Sequence, residues 1–247
     1  MADYDNRVLR SQTAAAGAID AGLRAHMLRV YNYMLIGLAL TGATAWLTAE
    51  TSFGELFYRI NPANHTMGLT LLGMVALFAP LGLVLFMSFR IDRMSVSAAQ
   101  GTFWAYAGLV GISLAPILLV YTGASVAQVF FITAATFGAM SLWGYTTKRD
   151  LTGFGNFLFM GLIGILLASL ANFFFKSSAV NFVISVLGVL IFTGLTAWDT
   201  QKIKNTYYAV GGDVAVAGKA AIMGALALYL DFLNIFLFLL RFMGNRR

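Results

Sequence analysis

Long uncharged apolar stretches alternate with short charged ones along nearly the whole chain. Residues 30–49, 66–89, 94–147, 151–175 and 177–198 carry no charge, and 220–240 carries only Asp231. About 20 apolar residues are enough to cross a bilayer as a helix. The stretch 94–147 would be about 81 Å long as one helix, at roughly 1.5 Å per residue. That is far more than one membrane thickness, so it is expected to hold two spans broken near 121–125, where Tyr121 suits an interface and Gly123 permits a turn. The pattern predicts seven spans, at 28–49, 66–89, 98–121, 125–146, 153–175, 178–200 and 219–242. Together they form a transmembrane domain over 27–244, preceded by a polar cytoplasmic tail over 1–26 that is expected to be partly helical near the membrane. That opening has no short apolar core followed by a cleavage site, so it does not read as a signal peptide.

Composition agrees on the solvent. Hydrophobic residues make up 60% of the chain and charged ones 11%, with a mean hydropathy of +0.80. Soluble domains carry about 25% charged residues, so the expected class is an all-α integral membrane protein. Cysteine is absent, which excludes disulfides, a thiol nucleophile and thiolate metal sites. His26 and His65 lie outside the long apolar runs and form no ligand cluster. The net charge of +6 and pI near 9.7 come from basic residues gathered in short links. No basic stripe with interleaved aromatics occurs, so nucleic acid is not an expected partner. The expected surroundings are membrane lipid.

The basic residues also orient the chain. With the N-terminus inside, the inner segments hold Arg7, Arg10, Arg24, Arg29, Arg90, Arg93, Lys148, Arg149, Lys202, Lys204 and Lys219. The outer ones hold Arg59, Lys176, Arg241, Arg246 and Arg247. Eleven against five favours a cytoplasmic N-terminus. The three C-terminal arginines oppose that sense. Either the seventh segment crosses despite them, or it is short, central and partly re-entrant.

Ionisable groups within spans are rare and mark function by default. Asp231 is the clear case, because its apolar run extends at least nine residues on either side. At helical spacing Gly224, Ala227, Asp231 and Asn234 share one side, a small and polar face suited to the bundle interior. Asp199 closes the sixth apolar run. It is either an interfacial acid paired with Lys202 or a second buried acid. The second case requires helix six to continue through Lys204, and no Gly or Pro forbids that. Two carboxylates side by side in a poorly solvated site share one proton near neutral pH, or are neutralised by a hard cation. Ca²⁺ suits them, completing its coordination with carbonyls, water or the Asn234 oxygen. Arg90 and Arg93, after the second span, either cap the cytoplasmic side or turn inward to pair with an acid.

Three stretches resemble the Bax inhibitor-1 family, the transmembrane Bax inhibitor motif proteins. "LYLDFLNIFLFLLRFMG" at 228–244 is similar to the family's terminal helix and "AWDTQKIKN" at 197–205 to its sixth. The third, 110–152, carries Gly and Ser before a Pro, then Thr-Ala-x-x-Phe, then a Tyr-x-Thr-x-basic-Asp loop. The resemblance covers about 30–244. It implies a seven-helix fold whose C-terminal helix is central and wrapped by the other six. It also implies a pH-sensitive passive Ca²⁺ leak in a bacterial inner membrane, gated by a hydrogen-bonded aspartate pair. By motif those aspartates are Asp199 and Asp231, and the arginine gate partner is Arg93 or Arg90, with Arg93 favoured by its spacing to Pro116.

Other functions remain open at this point. Some relatives that lack the acidic pair resemble partners of a membrane-anchored AAA protease, so a non-conducting regulator of another membrane protein is the alternative. Two intramembrane acids also suit an aspartyl protease dyad, but the second acid stands in "LYLD", without the Gly-x-Gly-Asp of such enzymes. No Walker A ending follows any glycine-rich stretch. An enzyme or a resident cofactor is not expected.

Overall fold

The computed structural model describes residues 2–60, 67–210 and 213–247, with the side chains of 20–59, 68–210 and 213–247. Its elements in chain order are α1 (Ala2–Glu50), β1 (Tyr58–Ile60), β2 (Met67–Leu69), α2 (Leu71–Arg90), α3 (Val96–Val120), α4 (Gly123–Thr146), α5 (Thr152–Phe175), α6 (Ser178–Ala209) and α7 (Val214–Met243). Each of the seven helices contains a segment long and apolar enough to cross a membrane. The helical backbone of α1 begins far ahead of its apolar stretch, which starts near Asp20.

The helix boundaries have local chemical causes. A helix leaves its first amide groups without partners, and a Ser, Thr or Asp side chain can accept from them. Thr70, Ser95, Thr122, Ser177 and Asp213 do so for α2, α3, α4, α6 and α7. Thr122 therefore divides the long uncharged run, with Tyr121 in extended backbone beside it. The α5–α6 link is only two residues long. Lys176 there adopts a left-handed conformation with φ of 51°, while the Asn172 amide bonds Ser177 from both sides at 3.0 and 3.1 Å.

Short strands β1 and β2, paired antiparallel with Tyr58 opposite Leu69, precede α2. This hairpin occupies part of what the apolar pattern assigned to the second span. It is fastened to the bundle by Tyr58, whose hydroxyl donates to the Ile112 carbonyl at 2.8 Å. Burial pushes that phenol above its ordinary pKa.

Helix α7 lies innermost by burial, packing against α6, α1, α4 and α3. The pairs α1–α3, α5–α6 and α2–α3 complete the main contacts, so α5 rests chiefly on α6 and α2 chiefly on α3. One end of the bundle gathers the α2–α3 corner, the α4–α5 link and the α6–α7 connection. There Lys219 donates to the Asp92 carbonyl at 2.9 Å and Lys204 to the Tyr145 carbonyl at 2.7 Å. Gln201 clamps the α4–α5 link, donating to the Arg149 carbonyl and accepting from the Leu151 amide, each at 2.8 Å. Beyond it, the Asp150 carboxylate accepts from the Thr152 amide and hydroxyl, which holds it below the usual carboxylate range. At the opposite end the last residues fold back onto the α3–α4 corner. The Thr122 amide donates to the Asn245 carbonyl at 3.1 Å and the Arg247 amide to that of Val120 at 2.9 Å. Helix α7 is thus one continuous helix of 30 residues between the two ends, and not a short re-entrant segment.

Candidate cation and proton site

Asp199 stands ten residues before the end of α6, and no Gly or Pro interrupts the helix after it. The helix therefore carries this acid inside the bundle. Gly224 lets α7 approach closely, because a side-chain carbon there would meet Ile203 of α6. On the opposite flank Gly144 brings α4 onto the Ala197 backbone. The result is a tight α4–α6–α7 contact around the two acids.

The Asp199 and Asp231 carboxyls are within hydrogen-bonding reach of each other. A bond between two carboxyls exists only when one of them carries a proton, since an ionised carboxylate has no donor. The pair is unequal. Asp231 is 3% exposed, the one buried acid among the described residues, and its Oδ2 has no protein partner. Asp199 is half-buried and lines a cavity of about 230 Å³ between α1, α6 and α7. His26, Lys202, Thr206, Met223 and Ala227 share that lining, which lies toward the basic end of the bundle.

Lys202 acts on Asp199 with its opposite charge, while its ammonium sits 4.9 Å from the centre of the Trp198 ring. Next to the pair, the Tyr31 and Ser141 hydroxyls are 2.6 Å apart, and Ser141 is 2.9 Å from Thr200. This chain ties α1 and α4 to the residue after Asp199. Toward the other end α7 buries Phe232, Leu233, Ile235, Leu239 and Leu240, with no ionisable residue before Arg241. Asp199 therefore lines the cavity, while Asp231 is buried outside its lining.

The remaining sequence candidates lie elsewhere. Asn234 is half-buried and turns its amide to the Leu230 carbonyl at 2.8 Å, on its own helix. Arg90 and Arg93 are exposed on the α2–α3 corner, and the structure does not bring either to the acids. His65 lies outside the described residues. His26, by contrast, faces the same cavity as Asp199, packs against Tyr207 with its ring tilted and the ring centres 5.3 Å apart, and leaves its Nε2 buried without a partner. Helical phase could have revealed this, because Leu23, His26, Met27, Val30 and Met34 follow the spacing of one buried face.

No group of three or more His, Asp or Glu is placed to hold a metal among the described residues. A cation at this site would rely on the two carboxylates plus carbonyl or water oxygens. The unpartnered Asp231 oxygen fits that role, and oxygen-only coordination of flexible geometry suits Ca²⁺.

Over residues 23–247 the sequence matches the protein family described as "Inhibitor of apoptosis-promoting Bax1". It is 49% identical to the Rickettsia prowazekii protein RP147 over 247 residues, all of both chains. It is 47% identical to a Caulobacter vibrioides protein over 249 residues, again all of both chains. The Escherichia coli K12 inner membrane protein YbhL is 48% identical over 229 residues, which cover 92% of this chain and 94% of YbhL.

Proposed function

The chain belongs to the Bax inhibitor-1 family, and from that premise we propose that it is an inner-membrane protein that lets Ca²⁺ leak passively, gated by a proton shared between Asp199 and Asp231. Its N-terminus and the basic end of the bundle face the cytoplasm. The single observation that supports the proposal is a buried carboxyl, Asp231, within hydrogen-bonding reach of Asp199, which itself lines a cavity toward the basic end. Helix α7 is the central element, packed directly against α6, α1, α4 and α3, with α5 resting on α6 and α2 on α3.

The chemistry has two states. With one proton shared, the acids attract each other and hold α6 against α7. With both ionised, like charges meet in a site of low dielectric, where the repulsion is strong. A divalent cation entering from the cavity neutralises them, so protons and Ca²⁺ compete for the same oxygens. Flux is therefore expected to rise with pH. The inner-membrane location follows the name of YbhL and the seven apolar helices.

The test is Ca²⁺ flux into proteoliposomes across a pH series. Wild type is expected to conduct more as pH rises, and Asp199→Asn and Asp231→Asn to lose that dependence. Equal, pH-independent flux in all three would overturn the proposal.

A further inference from the structure

A groove opens sideways between α1 and α4, away from the acid pair's cavity. Helix α1 packs on α3, α7 and α6, and α4 packs on α6 and α7, so the groove is the gap these contacts leave. Its volume is about 510 Å³, within the range of roughly 300–1,000 Å³ typical of small-molecule sites. Its walls are Met27, Leu28 and Leu35 from α1 with Phe137 and Leu142 from α4, and Phe232 of α7 forms the floor. Gly138 leaves part of the α4 wall bare, since a side-chain carbon there would meet nothing within 4 Å.

One end of this groove differs from the rest. Arg24 is the one charged residue in the lining, and Tyr145 stands in the same lining, where α4 approaches its end. The Lys204 ammonium is 5.7 Å from the Tyr145 ring centre, and Lys148 and Arg149 follow α4 on the exposed link. The nearby acids are Asp20, one turn before Arg24 on α1, and Asp150, whose carboxylate is already engaged by Thr152. Positive charge therefore dominates this mouth, while the interior is apolar.

We propose that the α1–α4 groove is a binding site for an acidic phospholipid, with acyl chain along the walls and headgroup phosphate at Arg24. A guanidinium offers a planar fork matched to phosphate oxygens. Basic pockets between helices on the cytoplasmic side attract acidic headgroups in the same way. A choline headgroup would add a second cation to the same mouth and gains less there. At its base, Tyr31 and Ser141 both line the groove and begin the hydroxyl chain to Thr200, next to Asp199. The site stands on its own geometry, whether or not the protein conducts Ca²⁺.

The test is native mass spectrometry of the full chain in neutral detergent, after incubation with equal phosphatidylglycerol and phosphatidylcholine. Wild type is expected to retain phosphatidylglycerol at least about tenfold over phosphatidylcholine. Arg24→Ala should bring the two close to equality. Gly138→Leu fills the groove and should lower retention of both, with the thermal midpoint unchanged because the added side chain enters open space. Equal retention of both lipids by wild type, or an unchanged preference in Arg24→Ala, would overturn the site. So would a co-purifying membrane protein displaced by Gly138→Leu with no lipid retained, which would assign the groove to a partner helix.

Discussion

At the scale of single residues the molecule concentrates its cost at Asp231. An acid at the centre of a membrane helix costs about 2.5–3.5 kcal/mol on insertion scales, and Asp199 is the carboxyl within hydrogen-bonding reach of it. A hydrogen bond between them requires that one proton be shared. Asp231→Asn replaces that proton with an amide donor that pH cannot remove. In thermal unfolding, wild type is therefore expected to lose midpoint as both carboxyls ionise at rising pH, while Asp231→Asn should stay flat. A wild-type midpoint insensitive to pH would show that the shared proton contributes nothing to stability. Helical phase along 220–240 was enough to place Asp231 on an inner face beside Gly224 and Ala227. It could not show that Asn234 turns back to its own backbone, because a half-buried amide chooses between partners that sequence does not reveal. Nor could the charge pattern place Arg90 and Arg93. Their exposure depends on how the α2–α3 corner closes, with Lys219 of α7 rather than either arginine reaching across it.

Among the elements, glycine decides which helices touch. Gly144 sits against the Ala197 backbone, so Gly144→Leu must push α4 from α6 and is expected to destabilise by roughly 1–3 kcal/mol, as overpacking does. Gly138 lies on the same helix but faces open space, and Gly138→Leu is its control. Equal losses in denaturation of the two variants would mean that the α4–α6 contact is not what is being measured, since helix propensity favours leucine over glycine at both positions. The spans were legible because an uncharged run of sufficient length has one outcome in lipid. The break at Tyr121 and Thr122 was legible for the same reason, since no single helix could be so long. The hairpin of β1 and β2 was not, because strands of three residues have no period to read and β2 lies inside the apolar run assigned to the second span. The start of α1 was also hidden. Its first residues are polar, and polarity distinguishes tail from span but not helix from coil.

For the whole molecule the basic residues sort by end. Arg24, Arg90, Arg93, Lys148, Arg149, Lys204 and Lys219 belong to one end, and Arg59, Lys176, Arg246 and Arg247 to the other. Because the chain has no cysteine, single introduced thiols report sidedness without background. In intact spheroplasts, a membrane-impermeant reagent is expected to label Lys176→Cys and to spare Arg93→Cys until the membrane is opened. The reverse order would invert the orientation and with it the direction from which protons reach Asp199.

The position of α7 in the chain also dictates a schedule. Translation delivers α6 before α7, so Asp199 enters the bilayer while the slot for the innermost helix is still vacant. Asp231 follows only after the link between α6 and α7 has emerged. If the two helices entered together as a pair, each acid would shield the other from lipid at the moment of entry. Only once the α7 run is complete can the residues that follow it fold back onto the α3–α4 corner and close that end of the bundle.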